Sequence, residues 1–493
     1  MLILLRFTGL ALSALSSLYR IHPAVWRLMA RTFRPGLSRL ARLHAWLTCR
    51  VAAHDVPAYA DFVGSRARKR LALSDFPPTD KQGYVVRYPE HLRCRGGEID
   101  VVGSVVDESS GSSGRPFNWV RSRAELRSVH RNLAAYTTMI FPARKKRGRF
   151  VINAYSMGAW ATGTTTGAAM SRIAMVKNTG PDLGKIADTL RHFGPGFDYI
   201  VTAYPPFLKH LRDALDADGF PWAGYRVSGM VGGEGMTEAL RDYLEERFDK
   251  VRSGYGASDL TIGIAGETDF SVAVRRRLRT DPALRAALLG ADEHRLPMVF
   301  QYNPLETYLE TTADNEILCT ITSTAVRNPR LRYNVGDEGR LIPFPVVAAH
   351  LGKAEKAEMR LPLLFLFGRT DSTISYLGAH LYPQDVEYGL YSGNPHAHLL
   401  ESFCLSLHEQ TDLEVRPVVH LQLRLGALPS ASLATTCRDG ILRHLASVSR
   451  DFAASLREDP SAGDLRVEVH DFGAGPFAGT AGKIKNSYLA GVR

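Results

Sequence analysis

The chain has 493 residues, 45% of them hydrophobic and 23% charged; this exceeds the size at which a single core stops growing, so at least two domains are expected. Its five cysteines (Cys49, Cys94, Cys319, Cys404 and Cys437) include no CxxC pair, which points to a reducing, cytoplasmic compartment and argues against a structural zinc centre. The net charge of +11 suits an anionic partner such as a nucleotide or a membrane surface, while the lack of interleaved basic and aromatic repeats argues against nucleic acid.

That charge is unevenly placed. Residues 1–54 carry eight arginines (Arg6, Arg20, Arg27, Arg31, Arg34, Arg39, Arg42 and Arg50) and neither an acidic residue nor a lysine. The apolar run from Phe7 to Tyr19 is too short to span a bilayer, and no convincing cleavage site marks a signal peptide. Two readings stand for this basic helical arm: an interfacial helix lying on anionic lipid, or a helical hairpin packed on the main domain with its basic face in water.

Next comes the run Ser109-Ser110-Gly111-Ser112-Ser113-Gly114-Arg115-Pro116. Small residues leave backbone N–H groups unshielded and serine hydroxyls add donors, so the run can wrap phosphate oxygens. It lacks the spacing of a P-loop, and taken alone it reads equally as a flexible linker. Beyond it, short β-rich runs (GRFVINAYS from Gly148, FDYIVTAYP from Phe197, YRVSGMV from Tyr225, KVRSGYG from Lys250) alternate with helical spacing (LGKIADTLRHF from Leu183, PFLKHLRDALDADG from Pro206, GMTEALRDYLEERF from Gly235). This alternation predicts stacked strand–helix–strand units with functional loops at the carboxyl ends of the strands. EILCTITSTA from Glu316 and LPLLFLFGR from Leu361 predict a more antiparallel region, and the texture changes again after Asp371, towards a small α+β domain.

Four further pieces follow in order: SGYGASD from Ser253, RYNVGDEGRL from Arg332, GRTDS from Gly368, and GTAGKIKNS holding Lys483. Together with the serine run this set resembles the adenylate-forming superfamily of acyl-CoA synthetases, peptide-synthetase adenylation domains and luciferases. DVPAYADF, FPPTDKQGYVVRYPE, SSGSSGRP, NAYSMGAWATG, GGEGMTEALR and GAHLYPQDVE look like its phenylacetate-CoA ligase branch, over roughly Asp55 to Lys485.

The resemblance implies an α/β, two-domain adenylate-forming fold: the arm over 1–54, a large multi-sheet ATP- and acid-binding domain over 55–370, and a small mobile α+β lid over 371–493. It implies ATP and Mg²⁺, a carboxylic acid substrate, release of pyrophosphate and transfer of the acyl group to CoA. Ser109, Ser110, Gly111, Ser112, Ser113, Gly114 and Arg115 would grip the triphosphate, with Arg115 where the family has Lys. Gly233 and Glu234 would line the adenine pocket, Tyr255 and Gly256 would face the base, and Ser258 the acyl phosphate. Asp259 would hold Mg²⁺ where the family has Glu. Asp337 and Arg369 would hold the ribose, Asp371 would be the hinge, and Lys483 the mobile catalytic cation. His380 either meets the thioester nucleophile or caps a turn. Tyr155, Met157 and Trp160, with Thr162, Thr164, Thr165 and Thr166, are candidate walls of an acid pocket suited to an aromatic or medium acyl group.

Such chemistry needs cations and backbone donors about the α-phosphate more than an acid or a base, since an anion attacks a polyanion. Other outcomes stay open: passage of the adenylate to an amine, a hydroxyl or a carrier thiol, AMP transfer to a phenol, or a silent membrane-surface binding protein that keeps the fold. The substitutions at Arg115, Asp259 and Asn334 favour the last of these; Asp337, Arg369, Asp371 and Lys483 oppose it.

Overall fold

The computed structural model describes residues 2–18, 22–64, 72–108, 117–144, 147–158, 161–291, 293, 295–323, 326–351, 357–369, 374–376, 379–409, 415–449, 452–453, 456 and 463–478. Its spine is an 11-stranded mixed sheet. One half is parallel, with spatial order Met175–Asn178, Gly148–Asn153, Phe197–Ala203, Arg226–Gly232 and Val251–Ala257. Its inner strands are buried on both faces, which is why Phe197–Ala203 and Arg226–Gly232 read as near-continuous apolar runs rather than alternating ones.

The direction changes at Thr261–Gly266, and the remaining strands, Met298–Tyr302, Leu363–Arg369, Tyr333–Ile342, Glu316–Ile321 and Thr307–Thr311, continue antiparallel to the far edge. The alternation and the antiparallel region expected from sequence are both present.

Helices cover the sheet, among them Arg123–Ile140, Leu183–Phe193, Pro205–Ala217 and Glu238–Glu245. Their starts are chemically marked: Ser122, Asp182 and Thr237 accept hydrogen bonds from the backbone N–H of Glu125, Lys185 and Leu240. One segment departs from expectation. The stretch after Asn153, for which the sequence pattern predicts no helix, contains one over Ala161–Met170. Thr and Gly are poor helix formers, yet burial of Ala161, Thr165, Thr166, Ala169 and Met170 overrides that preference.

The arm forms three helices, Leu2–Leu18, Pro23–Arg31 and Pro35–Asp55, packed on the large sheet assembly. Trp26, Ala30, Phe33 and Ala41 share an apolar cluster with Met139, Ile140, Ile200 and Met230, and Cys49, Ala52 and Ala53 enter the main core. Ser13 Oγ lies 3.1 Å from His44 Nε2, and Arg6 pairs with Asp55. No described helix is long and apolar enough to cross a membrane.

Towards the C-terminus, strands Leu400–Glu409, Val415–Leu423 and Arg466–His470 form a small sheet, antiparallel then parallel, with helices Pro383–Tyr391 and Leu433–Val448 beside it. It docks on the large sheet assembly through buried polar contacts: Lys209 Nζ donates to Leu400 O at 2.7 Å, and Thr237 N donates to Glu387 Oε2 at 3.1 Å.

Strand Val251–Ala257, at the turning point of the sheet, rests on a dry ion network. The Arg241 guanidinium is fully buried and donates to Glu238 Oε1 at 3.0 Å, Glu267 Oε1 at 2.5 Å and Val251 O at 2.6 Å. Glu267 Oε2 in turn accepts from Ser253 N at 2.7 Å. Burial alone would push the Glu238 carboxyl up, but Arg241, Arg275 and Arg276 outweigh it and bring it down to about 2. Removing one partner from a buried ion pair strands the other charges. Arg241→Met is therefore expected to lower the unfolding free energy by about 3–5 kcal/mol, measured by denaturant titration; a loss under about 1 kcal/mol would show that the strand does not depend on this network.

Candidate active site

The carboxyl ends of the parallel strands open onto a cavity of about 770 Å³. In open α/β sheets this is where ligands bind, since loops leaving neighbouring strands diverge there. Tyr155 follows strand Gly148–Asn153, Tyr204 follows Phe197–Ala203, Gly233, Glu234 and Gly235 follow Arg226–Gly232, and Ser258 and Asp259 follow Val251–Ala257. All of these line the cavity, as do Tyr255 and Gly256 at the end of their strand. The antiparallel half contributes Asp337 and Gly368, and the C-terminal part contributes Pro383 and Gln384.

Eight residues singled out from separate stretches of sequence thus meet in one place: Tyr155, Gly233, Glu234, Tyr255, Gly256, Ser258, Asp259 and Asp337. Arg369 joins them through its backbone, as the register partner of Asp337 across adjacent strands. Ser109 to Arg115, Trp160, Asp371 and Lys483 lie outside the described residues. Met157 is not among the described residues that line the cavity. Helix Ala161–Met170 folds back over the preceding loop, so that a Cβ placed on Gly163 would sit 3.3 Å from Met157 Cε. The helix also sorts the threonines: Thr162 and Thr166, one turn apart on one face, line the cavity, whereas Thr164 and Thr165 do not.

Hydrogen bonds fix the polar members. Tyr255 Oη donates to Asp337 Oδ2 at 2.6 Å, tying the end of a parallel strand to the antiparallel half. Tyr333 Oη donates to Asp259 Oδ2 at 2.9 Å. The turn at residues 258–260 is held from behind by two guanidinium groups. Arg121 donates to the carbonyls of Ser258 and Leu260, while its own charge is balanced by Asp107 at 3.2 Å and Glu125 at 3.1 Å. Arg330 donates to Asp259 O at 2.9 Å and lies over the Trp119 ring, 4.8 Å from its centroid. Its Nη2 is buried with no hydrogen-bond partner. Burial first, and then Arg121, lower this guanidinium to about 10.

Asp107, Trp119 and Arg121 belong to the hairpin Val105–Glu108 and Asn118–Arg121, whose strands bracket residues 109–116. Glu108, immediately before the serine run, itself lines the cavity. The hairpin and the Ser258–Asp259 turn are therefore one mechanical unit.

Several lining residues went unread in the sequence. Asn132 and Tyr136 are one turn apart on helix Arg123–Ile140, and Asn303 and Glu306 sit in a turn where Asn303 Nδ2 donates to Glu306 Oε1 at 3.0 Å. Asn132 also donates to Glu306. Trp26 arrives from the arm. A signal existed for the helix, since Ser122 followed three residues later by Glu125 is a capping pattern; nothing in the local sequence pairs Trp26 with residues this far along the chain.

Tyr136 is pinned by Gly266. A Cβ on that glycine would lie 2.5 Å from the Tyr136 ring, so Gly266→Ala must push the ring aside. The expected cost is about 1–3 kcal/mol, seen as a lower thermal midpoint; an unchanged midpoint would mean that the ring has room to move.

No family model matches the chain, and no curated protein matches it. Solved structures do. The chain is similar to 2-hydroxyisobutyryl-CoA ligase in its postadenylation state with R3-HIB-AMP, at 13% identity and TM-score 0.66, over 94% of this chain and 92% of that one. The open form of that ligase with 2-HIB-AMP and CoA gives 14% identity and TM-score 0.57, over 85% and 92%. Its thioesterification state gives 13% identity and TM-score 0.54, over 94% and 91%. With its mixed sheet, its small C-terminal sheet and its cavity at the carboxyl ends of the strands, the chain has the fold of the adenylate-forming ligases.

Proposed function

We propose that this protein activates a carboxylic acid with ATP and passes the acyl group to CoA, as an AMP-forming acid–CoA ligase of the phenylacetate-CoA ligase-like branch. A carboxylate oxygen attacks the α-phosphorus, the bond to the bridging oxygen breaks and pyrophosphate leaves; the CoA thiol then gives up its proton to solvent, its sulfur attacks the acyl carbon, and the bond from that carbon to the phosphate oxygen breaks to release AMP. The supporting observation is that motif residues far apart in sequence, from Gly233 to Asp337, line a single cavity at the carboxyl ends of the strands.

In this reading Asp337, oriented by Tyr255, accepts hydrogen bonds from the ribose hydroxyls, and Arg369 donates to them. Gly233, Glu234 and the Tyr255 ring hold adenine. The Ser109–Arg115 loop takes the β- and γ-phosphates, and its hairpin fixes the distance to Ser258. Positive charge behind the turn, from Arg330, attracts the triphosphate. Asp259 fits a Mg²⁺ ion by its donor chemistry: it is a carboxylate in the cavity wall with one oxygen held by Tyr333 and the other as the ligand atom. Bound there, the ion would neutralise phosphate charge. Lys483 supplies the mobile cation for the first half-reaction, and Asp371 is the hinge between the two.

Acid-dependent ATP–pyrophosphate exchange is the test. Exchange without CoA is expected, with thioester appearing once CoA is added. Asp337→Ala should lower kcat/KM for ATP about 10–100-fold, the loss of hydrogen bonds to a charged group; Lys483→Ala should abolish exchange while ATP still binds. Nucleotide binding with no exchange across a broad acid library would replace this reading with the silent binding protein.

The cavity walls also bear on the acid. Tyr155 and Tyr204 offer aromatic surface, but Trp26 Nε1 and Asn132 Oδ1 are buried without partners in the same lining. A buried donor and a buried acceptor left unsatisfied are costly, so we assign an aryl or medium acyl acid carrying a hydroxyl or similar polar group away from its carboxylate. Hydroxyaryl acids should outperform their unsubstituted parents in exchange, and Asn132→Leu should narrow that preference by about 10-fold or more. Equal preference in the wild type would remove the polar group from the assignment.

For the arm we propose contact with anionic membrane. Ile3, Phe7 and Leu10, spaced along one side of the first helix, stay largely in water (69%, 67% and 57% exposed), and Arg31, Arg34, Arg39 and Arg42 are exposed in the helices that follow. Apolar area and positive charge together are what anionic lipid attracts. Phe7→Glu with Leu10→Glu should reduce sedimentation with phosphatidylserine vesicles, leaving folding intact because both side chains face water; a wild-type chain indifferent to such vesicles would end the proposal.

A further inference from the structure

The small C-terminal sheet carries a group of side chains that has no part in the chemistry above. Among the described residues, His420, Glu468 and His470 bring their ligating atoms within 4.8 Å of one another. His420 lies on strand Val415–Leu423, and Glu468 and His470 lie on Arg466–His470, which pairs parallel to it with His420 opposite Glu468. Glu468 and His470 are two residues apart and so share a face of the sheet; the alternate positions Val419 and Leu421 point the other way, into the core.

The separations are those of a coordination polyhedron. His420 Nδ1 lies 3.0 Å from His470 Nε2 and 3.3 Å from Glu468 Oε2, and His470 Nε2 lies 3.8 Å from the same oxygen. Ligand atoms about 2.0–2.2 Å from a tetrahedral zinc stand about 3.3–3.5 Å apart, the middle of that range.

Neighbouring groups orient all three ligands. His420 Nε2 is 2.8 Å from Ser406 Oγ, so the imidazole can donate there and present Nδ1 to the cluster. Arg466 holds Glu468 Oε1 at 2.9 Å, leaving Oε2 turned inward. The far side of His470 is closed by Gly475, where a Cβ would come 2.4 Å from Nδ1 and where φ is +59°; only glycine meets both conditions without strain. The Phe477 ring packs edge-on at 6.0 Å. Side-chain exposures of 13%, 30% and 19% leave the group half open, with room for water as a fourth ligand. The absence of CxxC pairs bears on thiolate centres alone, not on an imidazole and carboxylate set.

We infer that His420, Glu468 and His470 form a binding site for a divalent transition-metal ion of the zinc type, completed by water. The ion would staple the last strand of the small sheet to its neighbour.

The test uses the full-length protein stripped with EDTA and titrated with Zn²⁺ by calorimetry and with Co²⁺ by visible spectroscopy. One ion per chain is expected, with the intense visible bands of low-coordinate Co²⁺, and with uptake raising the thermal midpoint. His470→Ala should abolish binding. Glu468→Gln, nearly isosteric and part-exposed, should weaken it at least about 10-fold, and Ser406→Ala about 10-fold through the lost orientation of His420, while the metal-free variant Glu468→Gln melts with the metal-free wild type. Absence of stoichiometric uptake, or unchanged affinity in both Glu468→Gln and His470→Ala, would overturn the assignment and place any bound ion elsewhere among the 16 histidines.

Discussion

A guanidinium shut away from water sits under the point where the large sheet changes direction, and the geometry of the cavity depends on it. Arg241 is a fixed cation in a medium where charge is expensive, so Glu238 and Glu267 must stay in place to compensate. Glu267 in turn grips the backbone of Ser253, two residues before Tyr255. From there the constraint runs outward: Tyr255 holds Asp337, Asp337 is in register with Arg369, and that strand leads into the C-terminal part of the chain. A network that contacts no substrate thereby sets where both halves of the sheet meet.

A second buried assembly governs the turn at Ser258–Asp259. Here the protein spends the carbonyl oxygens of the turn on Arg121 and Arg330. Arg121 is offset by two carboxylates; Arg330 leans on the face of an indole instead. The second arrangement leaves local positive potential where an anion would dock, whereas the first is structural. Pairing the two behind one turn separates the task of rigidity from the task of attraction.

Much of this was legible in the sequence, for identifiable reasons. Strands such as Phe197–Ala203 are buried on both faces and so advertise themselves as apolar runs, and capped amphipathic helices such as Leu183–Phe193 show their period plainly. The motif glycines and carboxylates were legible because their types and order, rather than their neighbours, carry the information. Ala161–Met170 was not, since threonine and glycine argue locally for another conformation and only packing reverses them. Met157 is named through the resemblance of its segment to a family pocket wall, and how a helix reversing over its own loop turns that side chain is not written in the local sequence. The polar cluster of Asn132, Asn303 and Glu306 depends on contacts between residues over 170 positions apart, about which local pattern is silent.

The place of Trp26 gives the arm a meaning beyond attachment. A helix that precedes the whole sheet in sequence, and that none of its strands requires for pairing, supplies a side chain to the same cavity as Asp337 and Tyr255. Part of the wall that would meet the organic part of a ligand is thus carried on a different piece of chain from the groups that would handle phosphate. Such a division makes selectivity modular: a lineage can remodel what enters the cavity by exchanging an N-terminal helix, while the costly buried electrostatics beneath the sheet stay untouched.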